Sequence, residues 1–280
     1  MTEIYRQLKE KFVLKNAHED WKDYRSALTM IANEYAGGSI AIIGAGRCND
    51  IELAALLFDR IILIDVDAVA MREATEGLSP AMREKIRPVE ASLTGITEAD
   101  TEAFCARVLN FVRDQGKDLS ADAFESCLNE AIDLLFEKTS AAEKELSEVI
   151  FGTRYDVVLC NGVCSQLFSM ILFFIRSVAH SVGDTILPEA TGIADQAEKR
   201  LSCMNDRLIP TIAGAIAAGA KKAAIFGNED PENAPVEGAH QCMRYLRENH
   251  APEERTLQWT FNAAGQVRYR MTIQILRKYA

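Results

Sequence analysis

The sequence predicts an α/β fold in which the strands of one mixed sheet alternate with helices, and three observations carry that prediction. Short continuous apolar runs at 39–43, 60–64 and 155–160 are separated by stretches of helical period, the pattern of parallel strands buried on both faces. A glycine turn, Gly44-Ala45-Gly46, follows the first run, and the second closes on an acidic residue, Asp65. The last 25 or so residues read as a hairpin, 256–261 and 266–276 joined through Asn262-Ala-Ala-Gly265.

The elements follow in order. Residues 1–36 are expected to be helical, because Ile4, Leu8 and Phe12, then Tyr24, Leu28 and Ile31, recur at three- and four-residue spacings until Gly37-Gly38. Strand 39–43 and its glycine turn lead to a helix that Asp50 is expected to cap, with Leu53, Leu56 and Leu57 on its buried face. After strand 60–64 a helix runs from about residue 68 to Gly77, and Ser79-Pro80 fits an N-cap with a first-turn proline. Strand 86–90 contains Pro88, which cannot donate to a ladder, so it belongs at a sheet edge.

Residues 97–152 are expected to form a helical insertion. Phe104, Val108, Phe111 and Val112 make one stripe, and Phe124, Cys127, Leu128, Ile132 and Leu135 another, parted by 116–119. Thr97-x-x-Asp100 and Ser140-x-x-Glu143 both match a capping box. Acidic residues outnumber basic ones here, which is the mark of a solvated face. Beyond strand 155–160, a helix runs to about His180. A longer one at 188–218 buries Leu201, Met204, Leu208, Ile212 and Ile216, with a kink expected at Pro210. Strand 222–226 precedes a polar loop, 227–236. The domain reading is a helical cap at 1–38 and one ligand-binding domain at 39–280 that carries the insertion.

Composition narrows the function. A net charge of −10 leaves little to displace counterions from a phosphate backbone, so nucleic acid is not an expected partner. Seven cysteines without a paired framework suit a reducing compartment, and the polar opening Met1-Thr-Glu-Ile-Tyr is no signal peptide. The longest apolar run, around 167–179, is broken by Ser169, Arg176 and Ser177 and falls short of the roughly 20 residues a membrane span needs. A soluble, cytoplasmic protein is expected.

The glycine turn and the acid beyond it form a nucleoside-binding pattern. Glycines let backbone approach a ligand, a helix start offers N–H groups, and a carboxylate about 20 residues on takes ribose hydroxyls. A dinucleotide turn wants a third glycine three residues after Gly46, where Asn49 stands. The looser Gly-x-Gly turn resembles that of class I S-adenosylmethionine-dependent methyltransferases, and the resemblance covers roughly 39–280 outside the insertion. It implies a Rossmann-like seven-stranded mixed sheet of order 3-2-1-4-5-7-6 with helices on both faces, whose edge position for the third strand agrees with Pro88. It further implies S-adenosylmethionine as cofactor and S-adenosylhomocysteine as product. Gly44, Ala45 and Gly46 then lie under the methionine part, with Asn49 and Asp50 as further polar groups there. Asp65 (or Asp67), with Val66 beside it, holds the ribose; Glu90 to Ser92 flank the adenine; and Asn161, Gly162 and Val163 face the methyl donor. Helices before the first strand often cover the cofactor in this family, which makes Trp21 and Tyr24 candidate substrate contacts against a core-packing alternative. Gln166 is a third candidate.

Two positions depart from the family pattern: Ile42 replaces the acid before the first glycine, and Cys48 replaces a third glycine. Asn161-Gly162-Val163-Cys164 also lacks the Asn-Pro-Pro-aromatic motif of amino-methylating nucleic-acid enzymes. No metal site is expected: His18, His180, His240 and His250 are scattered, and Cys160 and Cys164 lack partners at ligand spacing. His180 and His240 are candidates for a base against surface or core roles. The expectation is a methyltransferase acting on a small molecule or a peptide. An NAD-dependent oxidoreductase and a non-catalytic scaffold, with the insertion as a lid or an oligomer interface, stand as alternatives.

Overall fold

The structure, a computed structural model, describes residues 16–230 and 237–278. The expected helix through Ile4, Leu8 and Phe12 lies outside them. The chain divides into two units.

The sheet unit holds residues 14–92, 145–165 and 209–280. Its strands are β1 (Ser39–Ile43), β2 (Arg60–Asp65), β3 (Ile86–Glu90), β4 (Tyr155–Asn161), β5 (Ala220–Glu229), β6 (Glu253–Asn262) and β7 (Val267–Arg277). They lie in the order β3-β2-β1-β4-β5-β7-β6, as the resemblance implies. β1 pairs in parallel with β2 and β4, while β7 runs antiparallel between β5 and β6. Pro88 sits opposite Leu63 on the edge strand, where its missing N–H leaves no ladder bond unmade. Ile40, Ile42, Leu63, Leu159 and Ile225 form the core of the sheet, and Tyr24, Leu28 and Trp259 pack on it. Ile42, at the place of the family's acid, is therefore a core side chain.

Helices α1 (Ala17–Asp20) and α2 (Lys22–Asn33) precede the sheet, and α3 (Ala68–Glu73) and α4 (Pro80–Lys85) join β2 to β3. Ser79 caps α4 through the N–H of Met82, with proline at the first turn as expected. Asp67 caps α3 by accepting from Val69 and Ala70.

The helical unit is built from residues 93–144 and 166–208. It contains α5 (Glu98–Gln115), most of α6 (Ala121–Phe151), α7 (Ser169–Gly183) and the first turns of α8 (Ala190–Gly219). Thr97 and Asp100 close the expected capping box on α5. The predicted cap at Ser140 is absent, because α6 runs through it as one helix and the Ser140 hydroxyl accepts from Arg207 instead. Phe124, Leu128, Ile132 and Leu135 are buried on one face of α6, and Phe104 meets Phe174 edge-on at 6.0 Å. Pro210 stands inside α8. None of the described helices is long and apolar enough to cross a membrane.

Two further expectations are corrected, and one helix is added. No α-helix follows the glycine turn: only the 3₁₀ turn Leu53–Ala55 forms, Asp50 does not cap it, and Leu57 is exposed. Strand β5 extends through Gly227, Asn228 and Glu229, predicted as loop, because these residues pair with Ile273, Thr272 and Met271 of β7. Helix α9 (Glu237–His250), for which no expectation was drawn from the sequence, stands between β5 and β6.

Candidate active site

The C-terminal rim of β1, β2, β4 and β5 carries the candidate site, as the crevice rule for open α/β sheets requires. The turn after β1 holds Gly44, Gly46 and Cys48 at φ +66°, +46° and +52°, a left-handed conformation at every second residue. Cys48 thus holds, despite its Cβ, a left-handed backbone that glycine adopts freely, a strain of roughly 1 kcal/mol. A Cβ on Gly44 would come within 2.4 Å of Val163 Cγ2, so this glycine admits Val163 to the turn. Gly46 has open space at that position.

The amides of the turn are bound within the protein. Gly44 and Ala45 donate to the Ile64 carbonyl, and Gly46 donates to Asp65 Oδ2 at 2.8 Å. Asp65 Oδ1 accepts from the Asp67 N–H, also at 2.8 Å. With the Val66 N–H also directed at it, the Asp65 carboxylate still keeps part of its roughly four lone-pair positions as acceptor capacity for a ligand diol. Burial raises the Asp65 carboxyl above its ordinary value, opposed by the N–H groups of Asp67 and Gly46. Asp67 is committed to capping α3. Val66 and Ser92 are half-buried on the same rim, and Glu90 is exposed at the end of β3.

Between β1 and β4 lies a chain of polar contacts. The Tyr24 hydroxyl donates to Asn161 Oδ1 at 2.5 Å, and Asn161 Nδ2 donates to Asp50 Oδ2 at 2.6 Å. Arg25, with its side chain 7% exposed, holds the loop through the Asn49 carbonyl at 3.0 Å and Glu52 at 3.2 Å. Tyr24 is 2% exposed and stacks on Trp259 at 5.0 Å. Trp21 donates its indole N–H to the Phe261 carbonyl and packs edge-on against Trp259. Both aromatic residues named as substrate candidates thus belong to an aromatic cluster on the hairpin. Gln166 is exposed and falls in the helical unit.

Glu229 is the functional candidate that sequence reading missed. It ends β5, is 5% exposed, and accepts from the Ser165 hydroxyl at 2.9 Å. Burial raises its carboxyl, as it does that of Asp50, where the Asn161 amide and Arg25 oppose the rise. The Tyr24 hydroxyl is pushed well above its ordinary range by burial and then by the charges of Asp50 and Glu229. Cys164 contacts Cys160 and Cys242, and all three thiols are buried. Among the described residues no group of His, Cys, Asp and Glu is arranged to hold a metal ion. His180 is 81% exposed beside Asp184, and His240 is exposed on α9.

A raised carboxyl binds its proton more tightly folded than unfolded. Its stabilising contribution is complete below the unfolded pKa, near 4.5 for glutamate, and is lost as pH rises through the folded value. Glu229→Gln is therefore expected to stabilise the protein at pH 8 and to bring no gain at pH 4. Urea denaturation at both pH values checks this, and equal effects at the two would refute it.

No family model matches the chain, and no curated protein matches it in sequence. Among solved structures it is similar to the N-methyltransferase NodS from Bradyrhizobium japonicum WM9 in complex with S-adenosyl-L-homocysteine. The identity is 12%, the overlap covers 100% of both chains, and the TM-score is 0.47. It is also similar to magnesium protoporphyrin IX methyltransferase from Synechocystis PCC 6803 with bound SAM, at 11% identity over 95% of this chain and 86% of that one, TM-score 0.45. Overlaps this loose carry no functional weight. The fold of class I S-adenosylmethionine-dependent methyltransferases is recognised here from the strand order and the antiparallel β7.

Proposed function

We propose that this protein is an S-adenosylmethionine-dependent methyltransferase whose acceptor is a small molecule or a peptide. The observation that carries the reading is the rim of β1 and β2, where Asp65 stands over a glycine turn that leads into no α-helix. A dinucleotide pyrophosphate is normally received at the N-terminus of such a helix. A nucleoside joined to an amino acid needs no such terminus, only a diol acceptor and groups for the methionine end. The donor set suits it: Asp65 takes the ribose hydroxyls, and Asp50 supplies, from the loop, the carboxylate that Ile42 does not. Gly44, Ala45, Gly46, Asn49, Val66, Ser92, Asn161, Gly162 and Val163 complete the cofactor lining. Arg25 and Arg47, the basic residues beside this turn, are paired with Glu52 and Glu73, so neither stands as a free charge against a sulfonium.

When bound, the cofactor supplies an activated methyl group. The chain's own residues then have to align an acceptor and exclude water, which is worth several kcal/mol without a strong catalytic constellation. Asn161, held from both sides by Tyr24 and Asp50, is rigid enough to orient a group at the end of β4. The net charge of −10 supports a small-molecule or peptide acceptor over nucleic acid.

Calorimetric titration tests the reading. S-Adenosylmethionine and S-adenosylhomocysteine are expected to bind at micromolar levels and NAD not at all; tighter NAD binding would overturn it. Asp65→Ala is expected to cost roughly 1.5–3 kcal/mol of that affinity, the loss of a charge-assisted contact.

A further inference from the structure

We propose that Glu229 is the centre of an acceptor subsite for a protonated amine, which its carboxylate anchors and then deprotonates. This deepens the methyltransferase reading and rests on it for the transfer step.

The register places the residue. Asn161 pairs with Gly227, and side chains two apart on a strand share a face. Glu229 therefore lies on the face of Asn161 and Tyr24, one pleat nearer the rim where ligands enter such sheets. Its Oε1 accepts from Ser165, but its Oε2 is buried and has no hydrogen-bond partner among the described residues. An unmet carboxylate oxygen at 5% exposure is a costly feature for a fold to keep unless something brings a donor to it.

The surroundings select the donor. The Ser165 hydroxyl from the loop after β4 bonds Glu229, and Tyr24 from α2, Tyr269 from β7 and the Cys164 thiol lie within electrostatic reach of it. The adjacent cation, Arg270, is committed to Asp230. A buried carboxylate with two tyrosines in electrostatic reach, and no ion-pair partner among the described residues, is the chemistry that recognises an ammonium. Burial raises the Glu229 carboxyl, which makes it the stronger base for the next step. The carboxylate takes one proton from the ammonium, leaving a neutral amine and a carboxylic acid. The nitrogen lone pair then forms the N–C bond as the C–S bond breaks. The C–S electron pair stays on sulfur as a thioether, the product leaves as a methylated ammonium, and Glu229 returns its one proton to water.

The test is calorimetric titration of the S-adenosylhomocysteine-loaded protein at pH 8 with benzylamine and with benzyl alcohol, its neutral counterpart. Benzylamine is expected to bind at least tenfold more tightly. Glu229→Gln is expected to abolish that preference while S-adenosylhomocysteine affinity stays within twofold. In the unsubstituted protein, benzylamine binding is expected to weaken as pH falls from 8 to 5, because the ammonium then competes with a proton on Glu229. Equal affinity for amine and alcohol, no benzylamine binding, or a preference that survives Glu229→Gln would each overturn the subsite. Failure of S-adenosylhomocysteine to bind counts instead against the cofactor reading. The same amine and alcohol titrations on the unloaded protein then decide the Glu229 site separately.

Discussion

Replacing Asn161 with Ala is expected to lower folding stability by about 3 kcal/mol. The side chain accepts from Tyr24 and donates to Asp50, and both partners lose their contact together. Tyr24 is 2% exposed, so its hydroxyl cannot turn to water, and stranding a buried polar group costs about 1–3 kcal/mol. Asp50 is half-buried with a carboxyl already raised by burial, and loss of the amide bond that opposes the rise pushes it higher still. Equilibrium urea unfolding at pH 7 measures the change; a loss below 1 kcal/mol would mean that the chain of contacts does not hold the rim together. S-Adenosylhomocysteine affinity is expected to fall in the same variant, since Asp50 and the loop that carries it lose their link to β4.

Gly227→Ala is expected to cost a similar amount, about 3 kcal/mol, by a different route. A Cβ at this position would stand 1.9 Å from Asn161 Oδ1 and 3.2 Å from Ile273 Cδ1. The strand backbone there is ordinary, so the penalty is steric: Asn161 must leave its place, and the Tyr24 and Asp50 contacts go with it. Because both substitutions break the same contacts, their effects are not additive. In the Asn161→Ala background the oxygen is gone, and the added methyl is expected to cost only about 1 kcal/mol, leaving a coupling of roughly 2 kcal/mol. Additivity within 0.5 kcal/mol in the double-mutant cycle would show that the glycine is not there for Asn161.

Much of the framework was legible because it depends on local chemistry. Apolar runs marked β1, β2 and β4, Pro88 placed β3 at an edge, and Thr97 with Asp100 marked the start of α5. Each of these follows from what a few neighbouring residues can or cannot do with their own backbone. Other features depended on distant partners. Gly227, Asn228 and Glu229 read as loop because polar residues are rare in buried strands, and only pairing with β7 makes them one. Ser140 has the spacing of a helix start, yet the buried face of α6 continues through it. Leu57 matched a helical stripe, but Asn33 holds its N–H, and the segment closes as a 3₁₀ turn before it.

For the site, the residue types along the chain identified the glycine turn and its acid, since conformational freedom at Gly44 and Gly46 and charge at Asp65 are properties of single residues. Where Tyr24, Asp50, Asn161 and Glu229 meet was decided only by the tertiary structure. Their sequence separations reach two hundred residues, and it is the register of β4 against β5 and the packing of α2 that bring them to one face. Burial then gives them properties that composition does not carry: an unpartnered carboxylate oxygen at Glu229 and raised carboxyls at Asp50 and Asp65. Sequence determined which groups were available, and packing determined which of them were taken out of water together.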